Sequence, residues 1–213
     1  LGEPTIPFLG WGTSFLDFDN DGWKDIIAAN GHVYPAVDNF QWGTSYAQQL
    51  LLFKNTRTAS VGQIRFERVA AAPNSGLALS INARGMAISD FDADGKLDVI
   101  VANAGAMPTL LRNVSEAKNN WLKIKLVGDV SKKTPRDAIG STVFVTTGKL
   151  RQRFDLTSGA GYASQDEQTI HIGLGDASKV DKLEVFWANG QTETFPVEGI
   201  NKILILKQNE RSK

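Results

Sequence analysis

The chain has 213 residues, of which 42% are hydrophobic and 22% charged, a balance typical of a globular protein that argues against disorder. Its formal net charge is zero. Residues 1–115 carry 11 acidic and 8 basic side chains and residues 116–213 carry 12 and 15, so neither half has the basic excess expected for binding nucleic acid or an anionic membrane. The absence of cysteine excludes disulfides and thiolate metal sites, and no apolar run approaches the ~18 residues of a membrane span.

The first half is predicted to consist of short strands. Its periodic segments are rich in β-branched or aromatic residues and are bounded by Gly, Asn, Asp or Pro, and none shows sustained helical periodicity. In chain order the predicted strands are Gly12–Leu16, Ile26–Ala29, Leu50–Lys54, Ile64–Val69, Arg84–Ser89, Val99–Ala102 and Thr109–Arg112.

An aspartate-rich motif occurs twice between these strands. DFDNDGWKDIIAAN (residues 17–30) and DFDADGKLDVIVAN (residues 90–103) are identical at 9 of 14 positions, at an offset of 73 residues. The repeat extends upstream, where Gly12 matches Gly85, and downstream, where LLFKN (51–55) resembles LLRN (110–113). Each motif is therefore predicted to lie in a loop between two strands of a repeating unit.

The first repeat carries an insertion. Asn30 precedes Asn55 by 25 residues, whereas Asn103 precedes Asn113 by 10, so the first copy is longer by about 15 residues. The added segment, HVYPAVDNFQWGTSYAQ, is rich in aromatic and polar residues. Without it the repeat is about 58 residues long, a size that favours propeller blades or a related β-array.

The aspartate loops have the composition of a calcium site. Carboxylates stand at positions 1, 3, 5 and 9, and a glycine at position 6 permits a sharp turn. Closely spaced hard oxygen donors without His or Cys favour Ca²⁺ over Mg²⁺ or a transition metal. Two Ca²⁺ sites are predicted, with the side chains of Asp17, Asp19, Asp21 and Asp25 and of Asp90, Asp92, Asp94 and Asp98, and the position-7 backbone carbonyls of Trp23 and Lys96.

Three alternatives to such a site were considered. An EF-hand requires a Glu at position 12 and flanking helices, but position 12 is Ala28 or Val101 inside an apolar, strand-like run. Two copies with matched flanks argue against acidic turns that bind no metal. A carboxylate pair for glycoside hydrolysis is disfavoured because the spacing commits all four carboxylates to one small sphere.

The composition changes at SEAKNN (Ser115–Asn120), which is interpreted as a linker between a domain at 1–115 and a domain at 116–213. Seven short strands in the second domain predict a small β-sandwich, and ANGQT (188–192) predicts a tight hairpin turn. These strands are Trp121–Val127, Thr142–Thr147, Arg151–Leu156, Thr169–Ile172, Lys182–Trp187, Thr192–Val197 and Ile203–Lys207.

Several motifs resemble a known family. DFDNDGWKD and DFDADGKLD resemble the calcium loops of FG-GAP (VCBS-type) repeats of integrin-like β-propellers. DAIGSTV, SGAGYASQ, HIGLG and VFWANG resemble the ASPIC/UnbV domain that follows such repeats in cartilage-acidic-protein-like proteins. The resemblance implies calcium-stabilised blades with the eight aspartates as ligands, and a secreted, cell-surface or periplasmic location. Because two repeats cannot close a ring, it also implies the end of a larger propeller or an open fragment whose exposed blade edges favour self-association.

The insertion is the predicted place for ligand contacts. Exposed aromatic side chains on such a loop suit sugar stacking or protein docking, and the candidates are His32, Tyr34, Trp42 and Tyr46. Folding of these aromatics over a core edge is an equal alternative. His171 is predicted to be a surface or hydrogen-bonded structural residue.

The sequence thus predicts an all-β, calcium-binding, non-enzymatic recognition or adhesion module outside the cytoplasm, with a protein or glycan partner and no nucleic acid. The alternative is a domain of an enzyme acting on polysaccharide or another polymer, with its catalytic residues elsewhere.

Overall fold

The computed structural model describes residues 2–56 and 65–209, which form fourteen strands in four sheets. The first half contains a sheet of β1 (Gly10–Leu16), β2 (Asp25–Asn30), β3 (Leu51–Asn55) and β4 (Phe66–Arg68), and a sheet of β5 (Ala83–Ser89), β6 (Asp98–Asn103) and β7 (Thr109–Leu111). The second half contains β8 (Asn120–Val127), β9 (Thr142–Thr147), β10 (Leu150–Asp155), β11 (Ile170–Gly175), β12 (Lys182–Phe186), β13 (Thr192–Phe195) and β14 (Ile203–Lys207).

The all-β prediction is confirmed. All fourteen predicted strands are present, with ends displaced by at most three residues; Ile64, in the fourth of them, lies outside the described residues. Helical structure in the described part is limited to four 3₁₀ turns, at Glu3–Thr5, Pro35–Asn39, Gly76–Ala78 and Val130–Lys132. Among these residues no helix has the length and apolar character needed to cross a membrane.

The two repeats share their strand pairing. The motif at 17–30 connects β1 to β2 and the motif at 90–103 connects β5 to β6, both as antiparallel pairs. The register shift in β1, between Gly10 and Thr13, recurs at the equivalent place in β5, between Ala83 and Met86. The sequence repeat is therefore also a repeat of backbone geometry.

The two repeat sheets pack front to back. The core between them contains Ile27 and Leu52 from one face of the first sheet and Val99 from the second. Val99 is the repeat equivalent of Ile26, yet Ile26 lies in a separate cluster on the opposite face of the first sheet, with Phe53. The face of the first sheet that contains Ile27 thus packs against the face of the second sheet that contains Val99. These two faces are not equivalent in the repeat.

The second half encloses its own core between two sheets, ordered β10-β9-β12-β13 and β11-β8-β14. All pairs are antiparallel except β14 with β8, which is parallel. The core is fully buried and aliphatic at its centre, with Leu122, Ile124, Val143, Val145, Ile172, Leu183 and Val185. This pair of sheets, called the sandwich below, matches the predicted architecture, and Gly190 (φ 88°) occupies the predicted hairpin turn.

The sandwich also covers an open strand edge of the repeats. Asp166 accepts a hydrogen bond from the Ile88 amide (2.8 Å) and one from the Ser14 hydroxyl (3.3 Å). The Glu167 amide donates to the Ile88 carbonyl at 3.1 Å. At Ile88 the edge of β5 is therefore paired by the chain itself, and a partner molecule is not needed there.

Candidate metal centres

Each aspartate loop is held in a sharp turn by its own first carboxylate. Asp17 accepts hydrogen bonds from the amides of Asp21 (3.0 Å) and Gly22 (2.8 Å). Gly22 has a φ of 88°, a left-handed conformation that glycine adopts without steric cost. Asn20, at position 4, is also left-handed, with a φ of 59°.

The second loop has nearly the same backbone. Ala93 and Gly95, at positions 4 and 6, have φ values of 58° and 86°, and the Gly95 amide donates to Asp90 at 3.3 Å. The position-7 amide donates to the position-5 carboxylate at 2.9 Å in both loops. The two loops thus share these turns, although the position-5 amide donates to Asp17 in the first loop and to Asp92 (3.3 Å) in the second.

The loops gather carboxylate oxygens. One oxygen each from Asp17, Asp19 and Asp21 lie within 4.8 Å of one another, and the same holds for Asp90, Asp92 and Asp98. Asp19 and Asp90 are 7% and 6% exposed, and Oδ1 of each is buried without a hydrogen-bond partner. Because a buried, unpartnered carboxylate oxygen is costly, these two atoms fit a bound cation.

The electrostatics of the loops agree with that fit. Burial raises the pKa of Asp17 to about 7 and raises the pKa of Asp90 as well, so desolvation opposes the charged form of both carboxylates. A divalent cation bound to these oxygens would compensate that cost. The donor set is oxygen only, which suits a hard cation such as Ca²⁺.

The position-9 aspartates also have a structural role that was not predicted from the sequence. Asp25 accepts hydrogen bonds from the amides of Phe18 (3.2 Å) and Asn55 (2.8 Å). Asp98 accepts the equivalent bonds from Phe91 (3.0 Å) and Asn113 (2.7 Å). Each therefore ties the start of its loop to the end of the third strand of its repeat.

Basic side chains from the ends of those strands reach the loops. Lys54 forms an ion pair with Asp19, and Arg112 pairs with Asp92 (2.5 Å) and Asp94 (3.5 Å). Lys54 and Arg112 are substantially exposed and can move aside.

The position-7 residues are placed on the loops, as expected from the spacing. Trp23 is exposed, whereas the Lys96 side chain donates to the Ser115 carbonyl at 2.5 Å. Their side chains have different surroundings, and the role of the position-7 carbonyls as metal ligands stays a prediction.

Both loops also pack against the sandwich. The Asn20 side chain donates to the Gly95 carbonyl (2.8 Å) and thereby joins the two loops, and the Gly175 amide donates to the Asn20 carbonyl (2.9 Å). Gly173 lies so close to the first loop that a Cβ there would stand 2.0 Å from Asp17 Oδ2. A side chain at position 173 would therefore clash with the first loop, and β11 continues through this glycine beyond the predicted end at Ile172 by pairing with β8.

His171 belongs to the same junction. It is buried, and its Nε2 lies 3.0 Å from the Gly95 carbonyl. Burial lowers its pKa to about 4, so the imidazole is neutral near pH 7 and Nε2–H donates to that carbonyl. The structural role predicted for His171 agrees with this position, although the contact across the junction was not predicted.

The insertion presents some of the predicted ligand contacts and buries others. Tyr34 and Trp42 are exposed, while His32 and Tyr46 are half-buried and joined by the hydrogen bond from the His32 amide to the Tyr46 carbonyl (2.9 Å). Trp42 stacks on Phe40, with ring centroids 4.6 Å apart and planes 10° apart. The two ends of the insertion are thus joined by the hydrogen bond between His32 and Tyr46, and its middle exposes the stacked pair of Phe40 and Trp42.

Comparison with known proteins finds similarity in the carboxy-terminal part of the chain. Residues 131–213 match the family described as ASPIC and UnbV. The match begins after β8, which nevertheless belongs to the sandwich by its pairing with β11 and β14.

Similarity to whole proteins extends into the repeats. Cartilage acidic protein 1 of Mus musculus is 30% identical over 201 residues, which cover 88% of this chain and 27% of that protein. Its counterparts in Homo sapiens (30% over 186 residues, 82% and 24%) and Xenopus tropicalis (33% over 131 residues, 56% and 19%) are also similar. The chain spans about a fifth to a quarter of the length of these curated relatives. Residues 131–213 are thus similar to the ASPIC and UnbV family, and most of the chain's length is similar to cartilage acidic protein 1.

Proposed function

We propose that this chain is a calcium-stabilised, non-enzymatic recognition module of an extracellular, cell-surface or periplasmic protein. The observation that carries the calcium assignment is the pair of carboxylate clusters, each with a buried oxygen that has no partner. The relatives' name connects them with cartilage, an extracellular tissue, and supports the location.

The proposed architecture of the repeats is that of propeller blades. Front-to-back packing with a matched register is the relation expected between neighbouring blades. Phe15 is 67% exposed, whereas its equivalent, Ile88, is 6% exposed because the first repeat covers it. A further blade on the outer face of the first repeat would cover Phe15 in the same way.

The proposed role of calcium is to order the two loops by neutralising carboxylate charge that the protein does not neutralise by itself. Asp17, Asp19 and Asp21 would hold one ion with Asp25, and Asp90, Asp92 and Asp98 would hold the other with Asp94, helped by the carbonyls of Trp23 and Lys96. A ligand that binds only the folded state stabilises it by about 2.7 kcal/mol at a hundredfold excess over Kd.

Thermal unfolding with and without chelator tests this role. In a metal-free preparation, saturating Ca²⁺ should raise the Tm by several degrees, since about 1 kcal/mol moves the Tm of a chain this size by about 2–4 °C. Mg²⁺ at the same concentration should have a smaller effect. An unchanged Tm after addition of Ca²⁺ to the metal-free protein contradicts the proposal.

The proposed recognition surface is the exposed aromatic pair of the insertion. Flat aromatic faces bind the apolar faces of sugars and serve as anchors in protein interfaces. A glycan array with matched hydrolysis assays, followed by a Trp42→Ala variant, tests it. Binding without turnover that is lost in this variant, but kept in Val33→Ala on the same insertion, supports the proposal. Turnover, or binding unaffected by Trp42→Ala, contradicts it.

A further inference from the structure

A buried lysine of the sandwich lies beside the second aspartate loop. Lys123, on β8, is 3% exposed, and its Nζ is 3.8 Å from Asp90 Oδ2 and 2.8 Å from a carboxylate oxygen of Glu167. Glu167 is fixed in turn by the Ser89 hydroxyl, which donates to it at 2.6 Å. The Lys123–Glu167 ion pair, from the second half of the chain, thus lies beside Asp90, the first carboxylate of the second loop.

The two loops obtain their fixed positive charge in different ways. The first loop carries Lys24 at position 8, and this cation interacts electrostatically with Asp17 and Asp25. The equivalent residue of the second loop is Leu97, which is apolar and buried. The second loop's own lysine, Lys96, is directed to the Ser115 carbonyl. Lys123 therefore supplies, from the sandwich, a cation beside Asp90 in place of the one that the first loop carries at position 8.

Lys123 has less freedom to move than Arg112, which also pairs with a carboxylate of the second loop. Arg112 is 63% exposed and can leave Asp92 for solvent when a metal ion arrives. The side chain of Lys123 is almost wholly enclosed and is held by Glu167. Its charge stays near Asp90, whose Oδ1 has no partner and is free to bind a metal ion.

We propose that Lys123 and Glu167 form a built-in charge pair that sets the calcium affinity of the second loop. Lys123 lowers this affinity, and Glu167 raises it by drawing Lys123 away from Asp90. A charged pair of the second half thus acts on the second site, whereas the first site has its cation, Lys24, on its own loop. This inference rests on the proposed function, namely that the loops bind calcium.

The expected effects follow from Coulomb's law. A fixed unit charge about 4 Å from a ligand oxygen attracts it appreciably at the effective dielectric near a protein surface, and this attraction competes with a bound cation. The Glu167 carboxylate cancels part of this interaction. We therefore expect removal of the Lys123 charge to raise the calcium affinity of the second loop by about tenfold.

Calcium titrations of single-site proteins test the proposal. In an Asp21→Ala background, where the second loop is the site that titrates, Lys123→Met should lower the Kd for Ca²⁺ by about tenfold. Glu167→Gln should raise the Kd, because Lys123 then interacts with Asp90 alone. Opposite shifts identify an electrostatic effect, since damage to the fold would weaken binding in both variants.

Two controls separate this inference from the proposed function. Lys125→Met, at an exposed position on the same strand, should leave the Kd unchanged. In an Asp94→Ala background, where the first loop titrates, Lys123→Met should have no effect. An unchanged or higher Kd for Lys123→Met in the Asp21→Ala background overturns the inference while calcium binding stands. Absence of calcium binding by the parent protein overturns the proposed function and the inference with it.

Discussion

At the scale of single residues, the aspartates of each loop divide into two groups. Positions 1 and 3 of both loops, and position 5 of the first, were recognisable from the sequence because their close spacing brings their oxygens together. The double hydrogen bonding of Asp25 and Asp98 was not, because each contacts an amide at the end of a strand that follows later in the chain. A periodic sequence does not show which distant amide a carboxylate will meet.

This division predicts different behaviour of two variants in the first loop. Asp25→Ala should lower the free energy of unfolding by about 2 kcal/mol with or without calcium, since two backbone amides lose a carboxylate acceptor. Asp25→Asn, which keeps one acceptor oxygen, should cost less. Asp21→Ala should act mainly in the presence of calcium. Urea unfolding in Ca²⁺ and in chelator measures this, and an Asp25→Ala cost that vanishes in chelator would contradict the structural role.

The buried imidazole of His171 predicts a pH dependence. Its folded pKa of about 4 lies below the ordinary value of 6.5, so below pH 6.5 the unfolded state takes up a proton that the folded state does not. The stability contributed by neutral His171 is complete above pH 6.5 and is lost as the pH falls towards 4.

This loss should amount to about 2–3 kcal/mol between pH 7.5 and pH 4.5. The free energy of unfolding, measured by urea at fixed high Ca²⁺, should fall less steeply with pH in His171→Gln than in the unchanged protein. Parallel pH curves for the two proteins would show that His171 titrates normally in the folded state.

At the scale of elements, the strands were the most predictable part of the molecule. Alternation of apolar residues between Gly, Asn and Asp marked all fourteen, because a strand is identified by its own residues. Pairing depends on partners far away in the chain. The parallel pair of β8 and β14 and the extension of β11 through Gly173 and Gly175 therefore became clear only in the structure.

The contact between the second loop and β8 is testable with two glycines. A Cβ on Gly95 would lie 2.0 Å from Trp121 Nε1, whereas one on Gly190 would meet nothing within 4 Å, and both residues have positive φ (86° and 88°). Gly190→Ala should cost about 1–2 kcal/mol from backbone strain alone.

Gly95→Ala should cost about 1–3 kcal/mol more than Gly190→Ala, because Trp121 must also move. Urea unfolding of both variants at saturating Ca²⁺ gives the difference. An equal loss of unfolding free energy in the two variants would mean that the second loop does not pack closely against Trp121.

At the scale of the whole molecule, the sandwich and the repeats meet at the two aspartate loops. Asn20 joins the loops to each other, and Gly173, His171 and Lys123 approach them from the sandwich. The sequence indicated two domains and two loops, but it held no sign of their meeting, since these contacts join residues from 33 to more than 150 positions apart. The loops therefore lie where the repeats meet the sandwich, and they are also the candidate metal centres.

Each loop is proposed to hold one calcium ion, and the stoichiometry of calcium binding tests this proposal. Isothermal titration of the metal-free protein should give two Ca²⁺ per chain, one in Asp21→Ala, one in Asp94→Ala and none in the double variant. Absence of binding by the unchanged chain, or two ions still bound by the double variant, would contradict the account.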